Sequence, residues 1–137
     1  MNRDEILNMP HGREIDVMIA TKFLGLEWID YPWWDGTTKK LLWWHSWGTP
    51  SGDDFQQIDD EHIIPWDLPG YSIDIYAAWE ITKHFEYNWN IVRNVSGDGN
   101  YRMIYAAPGM PMAGVTAEIA PLAICRAALL ATLEAQE

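Results

Sequence analysis

Apolar residues return at three- and four-residue spacing between Ile73 and Thr82, where Ile75, Ala78, Trp79 and Thr82 fall on one side of a helix. Pro69-Gly70 stops an earlier helix from running in, Ser72 is placed to accept from an unpaired first-turn amide, and Asp74 suits the positive end of the helix dipole. The pattern predicts a helix starting near Ile73 whose apolar face packs on a sheet. The same period marks two further helices. Ile15, Met18, Ile19 and Phe23 trace one that stops at Gly25, after a short turn over Arg3 to Met9 capped by Asn2 and a break at Pro10. Its polar members Arg13, Glu14, Asp16 and Lys22 read as a solvated side. Leu122, Cys125, Leu129 and Leu133 form the stripe of a helix over 120–137, with Pro121 in its first turn and alanines that allow close approach.

A two-residue period takes over elsewhere. In Leu26 to Trp47 two aromatic runs flank Asp35-Gly36-Thr37-Thr38, a turn signal, and predict a β-hairpin. With those four residues as the loop, Trp28, Trp34 and Trp43 share one face and Tyr31, Trp33 and Trp44 the other. Gly48 to Leu68 reads as a long acidic loop. Tyr87 to Val95 and Tyr101 to Ala106 read as a second hairpin around Ser96-Gly97-Asp98-Gly99-Asn100, and Val115 to Glu118 as a further short strand. The whole is one α+β domain, 1–137. An antiparallel sheet is sandwiched between helical layers, and 26–68 is a Trp-rich β-hairpin and acidic-loop insertion.

Composition then narrows the function. A net charge of −11 repels nucleic-acid polymers and anionic membrane, so neither is expected as a partner. The charged amino terminus and the lack of an apolar run of about 20 residues point to a cytoplasmic protein. A single cysteine, Cys125, in an apolar helix reads as a small buried hydrophobe. Asp59, Glu61 and His62 lack the spacing of a metal loop. No nucleophile with a base and no carboxylate pair is recognisable, so a non-catalytic protein with no cofactor is expected.

Three stretches carry a resemblance: Met-Asn-Arg-Asp-Glu-Ile-Leu-Asn-Met-Pro-His-Gly-Arg-Glu-Ile-Asp at 1–16, Tyr-Ser-Ile-Asp-Ile-Tyr-Ala-Ala-Trp-Glu at 71–80 and Ala-Pro-Leu-Ala-Ile-Cys-Arg-Ala-Ala-Leu-Leu at 120–130. Together they resemble the phage ABA sandwich domain family of small phage- and prophage-encoded proteins. The resemblance implies a sheet held between helical layers and a phage accessory role in the bacterial cytosol. It implies no catalytic residues.

Nine tryptophans need covering, by a ligand, by a second subunit or by the chain itself. Bases stack on aromatic faces and Arg grips phosphate, so the preferred reading is a sponge that sequesters a small nucleotide-like host immune signal. Trp33, Trp44 and Trp47 would stack, His45 would accept a proton from the bound ring, and Arg93 and Arg102 would hold the anion. The alternative is a protein-protein interaction module whose aromatic surface inhibits a host protein or builds a homo-oligomer.

Overall fold

Leu122, Ile124, Leu129 and Leu130, with Cys125 and three alanines between them, leave the last helix of this chain apolar almost all round, and a helix of that kind belongs in the interior. The computed structural model bears this out in α4, Ala120–Ala135. It describes residues 2–42, 55–85, 88–93, 100–106 and 113–135. The chain divides into two compact units, Met1–Phe23 with Pro69–Glu137, and Leu24–Leu68.

In the first unit α4 is the hub. Packed around it are α1 (Arg3–Asn8), the π-helical segment Ile19–Phe23 that continues α2 (Arg13–Met18), α3 (Ile75–Thr82) and two strands of a three-stranded sheet. The expected stripe is therefore only part of a nearly continuous buried surface, and Leu133, expected within it, is half-buried. The sheet runs β5 (Asn88–Arg93), β6 (Tyr101–Ala106), β7 (Ala113–Ala117), all antiparallel. Met103 and Tyr105 on β6 and Val115 on β7 are buried, whereas Val92 and Arg102 on the opposite face are exposed.

Two details of α3 depart from expectation. It starts at Ile75, and its cap is Asp74, whose carboxylate accepts from the Tyr76 amide at 2.9 Å. Ser72 sits in the preceding turn and serves another partner. The buried face is also rotated: Ala77, Ala78, Ile81 and Thr82 point inward, whereas Ile75 and Trp79, expected inside, are exposed. Helix-on-helix packing accounts for this, because α3 meets α4 and the paired alanines let the two backbones come close.

The second unit is a mixed four-stranded sheet in the order β1-β2-β4-β3: β1 (Trp28–Pro32), β2 (Thr38–Leu42), β4 (His62–Pro65), β3 (Phe55–Gln57). The β1–β2 turn is shorter than the four residues expected. Trp33 and Thr37 are joined by a main-chain bond of 2.8 Å, and Gly36 at φ +86° donates to the Trp33 carbonyl. That is a three-residue loop closed by a left-handed residue, which puts Trp34 at the tip, 85 % exposed, and off the ladder face expected for it. Within the supposed acidic loop, His-Ile-Ile-Pro forms a central strand parallel to β2, buried on both faces, so the sheet is not purely antiparallel. Its flanking carboxylates hide the apolar run.

Candidate functional site

Trp33, nominated for stacking, packs with Ile29 and Tyr31 against the buried cluster of Leu41, Phe55 and Ile63. Tyr31 meets Phe55 edge-on at 5.1 Å, and Trp28, on the other face, meets the His62 ring at 4.7 Å. These rings act as the core of a small unit. Trp44, His45 and Trp47 lie outside the described residues, as does Trp43. The two nominated arginines are exposed in the first unit, and the strand register separates them. Arg93 pairs with Tyr101 and Arg102 with Val92, which places them on opposite faces of the sheet. Arg102 lies across Gly114, where a Cβ would stand 2.9 Å from its Nε. The ladder therefore does not bring the two guanidinium groups together on one face.

A shallow pocket of about 460 Å³ forms instead among Gly12, Arg13, Asp16, Gly70, Ile73 and Asp74. Gly12 takes φ +143°, a conformation side chains resist, and lets the chain turn into α2 after Pro10. Asp16 is 1 % exposed, although its place in the helical pattern suggested a solvated side. Its carboxylate accepts from the Ser72 amide at 2.9 Å and from Arg13 Nη1 at 3.3 Å. The Ser72 hydroxyl accepts from the Gly12 amide at 2.9 Å and donates to the Gly12 carbonyl at 3.3 Å. Burial, then the Asp16 charge, pushes the neighbouring Tyr71 up to about 12. The same two causes raise the Cys125 thiol well above its ordinary value and leave it unreactive.

The three stretches that carried the resemblance thus meet one another. Asp16 and Gly12 hold Ser72, and Arg126 on α4 donates to the Met9 carbonyl at 3.0 Å and the Thr116 carbonyl at 2.8 Å. Asp16, Ser72 and Arg126 thus each bond main-chain groups of another segment, which makes the cluster a latch. Nothing in the helical period signals it. The cue is an Asp on a helix facing a Ser in a Pro-Gly turn, and that pairing needs the fold to be seen.

Beside the pocket rises the outer side of α3. Ile73, Ile75, Tyr76 (83 % exposed) and Trp79 (47 % exposed) form an apolar ridge, and the Trp79 ring meets Trp89 of β5 edge-on at 5.4 Å. The charges on this segment are the capping Asp74 and the Glu80–Lys83 ion pair at 2.9 Å. Among the described residues no group of three or more His, Cys, Asp or Glu is arranged to hold a metal, and no helix is long and apolar enough to cross a membrane.

The profile of the phage ABA sandwich domain matches residues 17–129. The crystal structure of a phage protein from Bacillus cereus ATCC 14579 is similar to this chain, with a TM-score of 0.56 and 26 % identity over 89 % of this chain and 92 % of that one. No curated protein matches.

Proposed function

We infer a protein-docking role for this chain, which belongs to the phage ABA sandwich domain family. In this reading it is a non-catalytic phage accessory protein of the host cytoplasm. The family's α-β-α layering serves as scaffold and 26–68 is an insertion within it. The observation that carries the reading is the ridge of Ile73, Ile75, Tyr76 and Trp79, four large apolar side chains left in water on one helix and the turn before it. Tyr and Trp dominate the energetics of protein interfaces, and a contiguous exposed patch of them marks an interaction surface. The lysine on this helix is already paired with Glu80, which disfavours an anionic ligand there. The nucleotide-sponge reading needs rings and cations that converge, and among its described residues Trp33 is committed to a core and Arg93 and Arg102 face apart.

The test is capture in the bacterial cytosol with two differently tagged copies of the chain, as wild type and as Tyr76→Ala/Trp79→Ala. Recovery of either the second copy or a host protein by the wild type, lost in the variant, is expected. Equal recovery by both proteins would overturn the docking role. So would saturable binding of a cyclic or linear dinucleotide, released intact on denaturation and unaffected by the ridge variant.

A further inference from the structure

We propose that β5 pairs antiparallel with β5 of a second copy, joining two three-stranded sheets into one of six strands and burying the α3 ridges beside the seam. The proposal deepens the docking reading and rests on it. Sheet edges invite pairing unless they are blunted, and among the described residues two edges are. β1 carries Asp30 and Pro32, and on β7 the Thr116 carbonyl is taken by Arg126. β5 has six residues, Asn-Trp-Asn-Ile-Val-Arg, with no proline or lysine. It ends the strand order, and apart from its ladder with β6 its main chain has no backbone partner among the described residues. What fits such an edge is an extended strand.

Charge selects a second copy as that strand. The chain carries −11, so most faces of two copies repel each other, yet β5 has no acidic side chain and ends in a cation. A two-fold axis normal to the sheet keeps each residue on its own face, as an isologous pair requires. Centred on Ile91, it sets Ile91 against its mate and Arg93 opposite the second copy's Trp89 on both sides of the axis. That places a guanidinium over an indole twice per dimer. Trp89 already touches Trp79, so the pairing carries both α3 ridges to the seam.

Light scattering after size exclusion, on the full chain across a concentration series, tests this. The wild type is expected to run as a dimer. Arg93→Glu, at an exposed position, is expected to weaken it at least tenfold while circular dichroism stays unchanged, and Ile91→Cys is expected to cross-link to its mate on oxidation. A monomer at every concentration overturns the self-pairing while leaving ridge-dependent capture of a host protein to decide the docking role. A dimer that ignores Arg93→Glu, fails to cross-link through residue 91 and dissociates with Tyr76→Asp also overturns the β5 pairing, and supports docking through α3.

Discussion

The core of the first unit is centred on one aliphatic helix, where Leu122, Ile124, Leu129 and Leu130 are buried with alanines between them. In Leu24–Leu68 one buried cluster is Leu41, Phe55 and Ile63, closed from the side by Ile29, Tyr31 and Trp33, and Leu42, Ile64 and Leu68 are buried as well. Size explains the contrast. A unit of about 45 residues has too much surface for its volume to make a core from small side chains, so it uses rings that each bury about 150–250 Å². Among the hairpin's described aromatics, Tyr31 and Trp33 are therefore a packing solution, whereas Trp34 is exposed. Both units also leave aromatics outside, Trp34 in the smaller and Tyr76 and Trp79 on α3 in the larger.

Breaking each core should show the difference. Leu129→Ala, in the hub, should destabilise by about 2–5 kcal/mol in urea unfolding, because the surrounding helices cannot close the cavity. A loss under about 1 kcal/mol would mean that α4 is not the centre of the first unit. Asp16→Ala strands the buried Ser72 amide and should cost about 1–3 kcal/mol, with Asp16→Asn recovering part of it. In the smaller unit Gly36→Ala forces a side chain into φ +86° and should cost about 1–2 kcal/mol, visible as faster hydrogen exchange across β1 and β2.

Tyr71 gives a handle readable at high pH. Its folded pKa of about 12 lies above the ordinary value of 10. The unfolded chain therefore ionises first, and the tyrosine's stabilisation, complete below pH 10, is lost as pH rises towards 12. Tyr71→Phe should flatten that alkaline decline in thermal melts, and an unchanged decline would count against its burial beside Asp16. The smallest stability effect belongs to Tyr76→Ala, which should stay within about 0.5 kcal/mol of the wild type because the ring touches solvent.

Local chemistry made part of this fold legible. Asn2 caps α1 by accepting from Glu5, β5 and β6 pair where alternation and turn residues placed them, and Trp28 faces away from Tyr31 and Trp33. Three features escaped because they depend on partners distant in the chain. α3 is rotated because Ala77, which adds little to a hydrophobic pattern, joins Ala78 in deciding its approach to α4. Asp16 looks like a surface residue until Ser72, far along the chain, arrives to bond it. Ile63 and Ile64 form a central strand although carboxylates surround them in sequence. The site suffered most: face assignment for Arg93 and Arg102 follows from the register of the β5–β6 ladder, and only that register shows them apart.

Amide hydrogen exchange over Ile73 to Trp79 and Asn88 to Arg93, compared between dilute and concentrated wild-type protein, tests the docking surface most directly. The account predicts that protection in both segments rises together with concentration while α4 stays uniformly protected. Exchange in the two segments that is fast and the same at every concentration would contradict it.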